Sequence, residues 1–483
     1  MSDLKTSTAR SFFWKLLERF GVQGGQFVLQ IILARLLDPE HYGVLSIMVI
    51  FTTLANVFVQ SGLNTALIQG KDVEEDDYSS VFWITLGVAV VLYLGLYFCT
   101  PLIASFYKMP DIIQPFRILS LMLIPGAFNS IQLAKVSREM NFKKVFFSSV
   151  WGICVSGAVS IAMAYMGAGL WSLVAQSLLN AVVVCIVMWV TVKWRPKLIC
   201  NLKRVKILFS FGWKLLVSGL IDTLYQDLRS LVIGKKYSAD TLGFYNRGKQ
   251  FPQFMVNSIN GTVQSVMLPA MAAEQEHRDR VKAMMRKSMT LSAYIIFPMM
   301  AGLAGVATPL VKLILTDKWL PCVPYLQVYC FTFAFYPVHS CNLQAMNAMG
   351  RSDMFLRLEI IKKIYGIVAL VIAVFCFDSP LAIAMTGVVT TVISCFVNAS
   401  PNKKLINYSY FEQMKDVLPF MLAALAMLGA VLVVGTLPFS PIVILLLQIL
   451  VGVIVYVGIS VVARFEPFTM LLNMVRNFRK KKI

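Results

Sequence analysis

The sequence predicts an all-α membrane protein, in which fourteen transmembrane helices form two parallel six-helix bundles plus two extra C-terminal helices. Composition, the form of the apolar runs and an internal repeat support this prediction. Of the 483 residues, 58% are apolar and 14% are charged, against roughly 25% charged residues in soluble domains. The apolar runs are continuous, unlike the alternating strands of a transmembrane barrel. A soluble enzyme is therefore excluded.

Fourteen apolar runs can each supply a membrane-spanning helix, which takes about 20 residues. The polar breaks between them are too short for a soluble domain. Spans 1, 7 and 8 carry charged residues within their apolar runs. Numbered 1 to 14 in chain order, the predicted spans cover residues 11–36, 42–67, 79–106, 112–134, 145–166, 169–192, 207–233, 244–272, 287–315, 322–346, 354–377, 380–399, 417–437 and 441–463.

Lysine and arginine are distributed unevenly between the two faces of this topology. The face with the termini and the even-numbered connections carries 28 of these residues, whereas the opposite face carries 5. Since positive loops stay in the cytoplasm, both termini are predicted to be cytoplasmic. The same asymmetry explains most of the net charge of +20 as a basic rim that faces anionic membrane lipid. No nucleic-acid partner is predicted.

An internal repeat links the two halves of the chain. Four landmarks recur in the same order, and the shift between copies grows from 199 to 212 residues. The pairs are Phe13-Trp-Lys-Leu-Leu17 with Gly212-Trp-Lys-Leu-Leu216, Gly43 with Gly243, Pro125 with Pro337, and Gln132 with Gln344.

The repeat divides the chain into predicted domains. Six spans separate the copies, so both copies enter the membrane from the same side. We therefore expect an N-terminal six-helix lobe at 1–195, a second lobe at 196–405, and spans 13 and 14 with a basic cytoplasmic tail at 406–483. Transporters often place the substrate path between such halves.

Polar residues recur every three or four positions in the first two spans of each half, which places them on one helical face. Charges inside a membrane cost about 2.5–3.5 kcal/mol each on insertion scales, so these faces are expected to line a wet cavity. The stripes are Lys15, Arg19, Gln23, Gln26 and Gln30 on span 1, with Glu18 adjoining; Thr52, Asn56, Gln60 and Asn64 on span 2; Lys214, Ser218, Asp222, Gln226 and Arg229 on span 7; and Lys249, Gln253, Asn257, Asn260 and Gln264 on span 8, with Arg247 just before.

The charge of these stripes predicts an anionic substrate. Six bases outnumber three acids, and the planar fork of arginine suits phosphate. An anion that is too large for a pore and enters from lipid would be a lipid-linked phosphate or pyrophosphate. The predicted substrate-binding bases are Lys15, Arg19, Lys214, Arg229, Arg247 and Lys249.

The other stripe residues are assigned to the sugars and to ion coupling. Asp222 is the better coupling candidate because it lies mid-helix on its stripe. The predicted cavity-lining amides are Gln23, Asn56, Gln60, Asn64, Gln226, Asn257, Asn260 and Gln264, and the coupling candidates are Glu18, Asp222 and Asp227. Three alternatives stay open: Lys15 and Lys214 could snorkel to the interface, the amides could join helices, and Asp222 could form a structural salt bridge.

Some further residues have a structural interpretation. Glu359 and Lys363 are spaced as an i,i+4 salt bridge. Nine cysteines and three histidines show no metal-ligand spacing, so no metal or cofactor is predicted. Tryptophans near span ends are expected to be interface anchors; they are Trp14, Trp83, Trp171, Trp194, Trp213 and Trp319.

Three stretches carry a family resemblance. They are Ala34-Arg-Leu-Leu-Asp-Pro-Glu-His-Tyr-Gly43, Val266-Met-Leu-Pro-Ala270 and Asp317-Lys-Trp-Leu-Pro-Cys-Val-Pro-Tyr-Leu-Gln327. Together with the repeat, they resemble the polysaccharide transporters of the MOP exporter superfamily over nearly the whole chain. The resemblance is strongest to the Wzx-type branch, which moves colanic-acid, teichuronic-acid or O-antigen repeat units.

This resemblance implies a flippase of the bacterial inner membrane rather than an enzyme. Its substrate would be an undecaprenyl-pyrophosphate-linked oligosaccharide, moved by alternating access between two six-helix lobes and coupled to H⁺ or Na⁺. The family has no invariant catalytic signature, so the site residues rest on the stripes and the repeat.

Two other functions remain as alternatives. A multidrug or organic-ion antiporter of the same superfamily usually has twelve helices, and it would favour a cavity of opposite charge. An integral membrane polysaccharide polymerase or glycosyltransferase would be expected to show a large extracytoplasmic loop, or a cytoplasmic domain with clustered carboxylates such as an Asp-x-Asp pair, and the sequence has neither.

Overall fold

The computed structural model describes residue 14 and residues 21–60, 62–69 and 73–480. The side chains of 69, 211, 258, 260–266, 352 and 474–480 lie outside the described part. Over the described ranges the chain is helical and contains no strand. Its contacts divide it into two compact units, Met1–Gly243 and Phe244–Ile483.

Unit 1 contains nine described helices and the start of a tenth, together with the short 3-10 turn Pro110–Ile112. The helices are α1 (Gln23–Leu36), α2 (Pro39–Gln60), α3 (Leu63–Gln69), α4 (Glu75–Tyr107), α5 (Ile113–Ser120), α6 (Leu123–Arg138), α7 (Phe142–Tyr165), α8 (Leu170–Thr191), α9 (Leu202–Lys236) and the first turn of α10 (Ala239–Ala273).

Unit 2 contains the rest of α10 and the helices that follow it, with a 3-10 segment at Asp317–Cys322. The helices are α11 (Arg278–Gly305), α12 (Ala307–Ile314), α13 (Val323–Ala334), α14 (Tyr336–Ala348), α15 (Ser352–Cys376), α16 (Pro380–Ala399), α17 (Asn402–Ile406), α18 (Tyr410–Val434), α19 (Pro441–Val462) and α20 (Glu466–Lys480).

The protein is a multi-pass membrane protein with many apolar helices. Among the described residues, nine helical segments are long and apolar enough to cross a membrane. A tenth is added if Leu202–Ser210 and Gly212–Lys236, which meet at 54°, form one bent span. Helices also cover three further predicted spans: α10 covers span 8, α13 and α14 cover span 10, and α15 covers span 11. Because of their polar residues, these helices are not among the nine segments. The predicted count of fourteen crossings therefore stays a prediction.

Two predicted spans are broken at positions that the repeat pairs. Span 4 consists of α5 and α6, and span 10 consists of α13 and α14. In each, the second helix starts shortly before a landmark proline, Pro125 in α6 and Pro337 in α14. Proline lacks the amide hydrogen that would continue the helix through that point, so both breaks have the same local cause. The lobe boundaries at 195 and 405 remain a prediction.

The interior of unit 1 combines an apolar core with a close helix pair. Buried Phe82, Ile131 and Leu67 pack together beneath the first turns of α4. Helix α7 presents small residues to α8, and a Cβ atom on Gly152 would lie 2.7 Å from the Asn180 Oδ1 atom. This approach allows the two backbones to pack closely.

Buried amides fasten the last helices to the rest of unit 2. Asn342 of α14 and Gln413 of α18 exchange two hydrogen bonds, of 2.8 and 3.1 Å, and Asn402 Nδ2 donates to Asn342 Oδ1 at 2.6 Å. All three side chains are fully buried. Beside them, Tyr408 donates to Asp416 at 2.6 Å. Burial, and then this hydrogen bond, raise the pKa of Tyr408, so it stays a hydrogen-bond donor at neutral pH.

Candidate functional site

The predicted stripe of span 1 is only partly described. Lys15, Glu18 and Arg19 lie outside the described residues. Gln23 opens α1 and is exposed. The proposed role of the first three residues therefore rests on sequence.

The stripe of span 2 is divided between two helices. Asn56 and Gln60 lie on the last turns of α2, where Gln60 Nε2 donates to Asn56 Oδ1 at 3.3 Å. Asn64 lies across the break in α3 and is 9% exposed. Its buried Oδ1 has no hydrogen-bond partner among the described residues. An unsatisfied buried acceptor is costly, so this position suits a hydrogen-bond donor such as water.

The stripe of span 7 lies along α9, which packs on α2 within unit 1. Lys214 and Gln226 are exposed, whereas Asp222, Asp227 and Arg229 are half-buried. Both acids and both bases therefore lie on one helix, as predicted.

On α10, the structure singles out Arg247. Its side chain is 4% exposed, and its Nη1 donates to Gln250 Oε1 at 2.7 Å. Lys249 is half-buried and Asn257 is exposed. Asn260 and Gln264 lie on the same helix, but their side chains are outside the described part.

Trp319 completes the surroundings of Arg247. The guanidinium carbon lies 5.1 Å from the centre of the Trp319 ring, a cation–π distance. The tryptophan is fully buried and meets Phe244 edge to face. The prediction that Trp319 is an interface anchor is therefore wrong, because the ring faces a charge inside the protein. Trp319 lies in the Asp317–Gln327 stretch that carries the family resemblance, and this position was the sequence signal that it could have another role.

Sequence reasoning also missed the tyrosines next to this position. The hydroxyls of Tyr245 and Tyr329 are hydrogen-bonded to each other in the interior of unit 2. The Tyr325 ring lies 5.9 Å from that of Tyr245, and Tyr325 packs closely on Gly248. Aromatic and hydroxyl groups thus surround the one turn of α10 that carries Arg247.

A second charged cluster lies between α14, α15 and α16. Glu359 pairs with Lys362 rather than with Lys363, the partner expected from spacing. His339 contacts Asn398 across the same helices, with Nδ1 and Nδ2 3.3 Å apart. The Glu359–Lys362 pair is half-buried, and a structural salt bridge accounts for it.

Part of the predicted basic rim is paired with acids at the start of α4. Lys135 contacts Glu75 at 2.7 Å, and Lys197 contacts Asp76 at 3.1 Å. Arg204 contacts buried Asp77 at 2.6 and 2.9 Å. The Lys197 and Arg204 pairs fix the connection between α8 and α9 to α4, and the Lys135 pair joins α6 to the same helix.

Comparisons with known proteins agree with the fold. The chain is 24% identical over 419 residues to the succinoglycan biosynthesis transport protein ExoT of Rhizobium meliloti, covering 87% of this chain and 82% of ExoT. It is 23% identical over 431 residues to the lipopolysaccharide biosynthesis protein WzxC of Escherichia coli, covering 87% and 86%. Its fold matches the inward closed conformation of the lipid II flippase MurJ, with a TM-score of 0.76 at 15% identity over 95% of this chain and 98% of MurJ.

A family model described as "Polysaccharide biosynthesis protein" matches residues 32–324, which is more than half of the chain. The resemblance to the polysaccharide transporters of the MOP exporter superfamily is confirmed. This protein belongs to the polysaccharide biosynthesis protein family.

Proposed function

We propose that the protein is a flippase that moves an undecaprenyl-pyrophosphate-linked oligosaccharide, an O-antigen or exopolysaccharide repeat unit, across the bacterial inner membrane. The observation that carries the proposal is the buried Arg247 on the Trp319 ring. A charge held inside a polytopic membrane protein usually serves a substrate or ion path. ExoT is described as a transport protein and MurJ as a flippase, and these descriptions support transport rather than catalysis.

The proposed topology has fourteen crossings with both termini in the cytoplasm. Helices occupy each predicted span from 2 to 14, and α1 lies entirely within span 1. Two six-helix lobes, at 1–195 and 196–405, would alternate in access, and α18 and α19 are added to the second. The charge asymmetry of 28 against 5 basic residues sets the orientation.

In this proposal the bases bind the pyrophosphate. Arg247 provides a fixed guanidinium, and Lys214, Arg229 and Lys249 add positive charge on α9 and α10, with Lys15 and Arg19 on span 1. The amides of the stripes meet the sugar hydroxyls, which both donate and accept hydrogen bonds as amides do. The buried oxygen of Asn64 is one such position.

Coupling to H⁺ or Na⁺ is proposed to run through Asp222, with Asp227 and Glu18 as the other candidates. Asp222 is half-buried on α9, on the same helix as Lys214 and Arg229. Cation entry at the carboxylate and release of the anionic lipid from the bases could then compete.

The test is a flipping assay in proteoliposomes. The purified protein is reconstituted with a fluorescent polyprenyl-pyrophosphate-linked oligosaccharide, and its exposure on the outer leaflet is followed under an imposed H⁺ or Na⁺ gradient. We expect flipping by the wild type and none by the Arg229→Ala, Arg247→Ala double variant at equal incorporation.

Three results would contradict the proposal. Gradient-driven movement of organic cations without lipid flipping would identify a multidrug antiporter. Chain elongation of the lipid-linked sugar would identify a polymerase. Full flipping by the double variant would show that Arg229 and Arg247 are not needed for substrate binding.

A further inference from the structure

Two glycines related by the repeat make a reciprocal backbone contact. A Cβ atom on Gly43 would lie 1.8 Å from the carbonyl oxygen of Ala239, and one on Gly243 would lie 2.2 Å from that of Pro39. Each glycine is the fifth residue of its helix, and each faces the first carbonyl of the other. The first turns of α2 and α10 therefore touch backbone to backbone, with no room for a side chain.

A second contact of this kind lies at the other end of α2. A Cβ atom on Gly212 would lie 2.6 Å from the carbonyl carbon of Gly62, and one on Gly62 would lie 2.9 Å from the carbonyl oxygen of Gly212. Gly62 has a φ of +79° in the break between α2 and α3. Gly212 begins the second segment of the bent helix α9. Here too, only hydrogen atoms separate the two backbones.

The two contacts are a membrane thickness apart. Gly43 and Gly62 are 19 positions apart along α2 and its C-terminal end, which corresponds to about 28 Å at the rise of an α-helix, and the hydrocarbon core is about 30 Å thick. Between the contacts, α9 carries Lys214, Asp222, Gln226 and Arg229, and α2 carries Asn56. The polar stripe of α9 therefore begins beside one contact and ends short of the other.

We propose that these contacts are the two gates of the transporter: Gly43 with Gly243 closes one end of the path, and Gly62 with Gly212 closes the other. The inference rests on the proposed function, because a gate needs a path. In each contact one partner belongs to the first sequence repeat and the other to the second. Glycine Cα–H groups can lie against carbonyl oxygens and hold such a contact weakly, so each gate closes tightly and separates at low cost.

The gates make a directional prediction. A methyl group on Gly43 collides with backbone, which cannot rotate away as a side chain can, but only while that gate is closed. An alanine there raises the free energy of that closed state alone and shifts the population toward the state that is open at that end. The charge asymmetry predicts that Gly43 lies on the extracytoplasmic side and Gly212 on the cytoplasmic side.

The experiment measures access to Gln226, which lies on α9 midway in sequence between Gly212 of one contact and Ala239 of the other. The reporter is Gln226→Cys in a variant without the nine native cysteines, labelled with a membrane-impermeant maleimide. Intact cells report extracytoplasmic access and inverted vesicles report cytoplasmic access. Gly43→Ala should increase labelling in cells by about tenfold and decrease it in vesicles, since overpacking costs of this order shift populations strongly. Gly212→Ala should do the reverse.

Matched controls come from α4. Cβ atoms on Gly87 and Gly95 would meet nothing within 4 Å, so Gly87→Ala and Gly95→Ala should label as the parent does. Gly212 is preferred to Gly62 because the positive φ of Gly62 would strain an alanine whether the gate is open or closed. If Gly43→Ala does not accumulate, Gly243→Ala tests the same gate from the other helix.

The outcomes separate this inference from the proposed function. If Gly43→Ala and Gly212→Ala label like Gly87→Ala, or shift access in the same direction, the gates are disproved. If access shifts in opposite directions but the reconstituted wild type moves no lipid-linked oligosaccharide, the gates stand and the proposed substrate is wrong. Flipping by the parent with unchanged access in both variants leaves the function and overturns the gates.

Discussion

Arg247 and Trp319 form a buried cation–π pair in unit 2, with the guanidinium carbon 5.1 Å from the ring centre. The Arg247 Nη1 atom also donates a hydrogen bond to Gln250 Oε1 at 2.7 Å. The guanidinium is therefore fixed in direction, which favours a bidentate partner such as a phosphate.

Arg247→Ala is expected to abolish polymer export at normal protein levels. Arg247→Lys should recover only a minor part, because an ammonium lacks the planar fork. Polymer on the cell surface is measured in a strain without the native gene. The matched control is Arg117→Ala, which removes a similar contact, 4.1 Å from the Tyr97 ring, away from the predicted stripes. Wild-type export by Arg247→Lys would show that charge alone is sufficient.

Asp222→Asn is expected to uncouple flipping from an imposed H⁺ or Na⁺ gradient. The amide keeps the size of the side chain and removes its charge, so substrate binding should be largely retained. Flipping in proteoliposomes is measured with and without the gradient. Asp227→Asn, on the same helix and equally half-buried, should keep the gradient dependence. Full gradient dependence in Asp222→Asn would place the coupling site elsewhere.

The topology predicts opposite results for two reporter fusions. Alkaline phosphatase fused after Ile483 should be inactive, because the C-terminus is expected in the cytoplasm. The same enzyme fused at Phe439, between α18 and α19, should be active outside the membrane. An active C-terminal fusion would reverse the orientation and, with it, the assignment of the two gates.

Neighbouring acids at the start of α4 should differ in their effect on stability. Asp77 is almost fully buried against Arg204, so Asp77→Asn should destabilise the protein by about 1–3 kcal/mol. Asp76 pairs with Lys197 at the surface, so Asp76→Asn should cost at most about 1 kcal/mol. Apparent melting temperatures in detergent measure both. Equal melting temperatures would show that the Arg204 pair does not hold the connection.

Hydrophobic patterning predicted the helices well. Helix α19 is uncharged from Pro441 to Val462 and coincides with span 14 within a residue. Predicted span 13 begins at 417, because the charged residues Lys415 and Asp416 precede the apolar run, so it misses the first turns of α18. The structure starts it at Tyr410, where Ser409 and Glu412 form a capping box. The capping box therefore starts the helix two turns before the point where hydropathy alone predicts it.

Long-range contacts could not be predicted in the same way. Arg247 was identified from its place on a stripe, but nothing local shows that Trp319, 72 positions later, would cover it. The landmark Gly43 was recognised as a repeat of Gly243, whereas their mutual contact depends on how α2 and α10 cross. Periodicity places a residue on a helical face, and only packing selects its partner.

The amide pair of Asn342 and Gln413 has a consequence for biosynthesis. The two residues are 71 positions apart, which corresponds to about 4–14 s of translation at 5–20 residues per second. During that interval the Asn342 amide has its bond to the Val338 carbonyl within α14 and then the bond from Asn402, and its bonds to Gln413 form only after α18 emerges from the ribosome. A message truncated before codon 413 would leave this amide permanently without its Gln413 partner, and its product should be a substrate for membrane proteases.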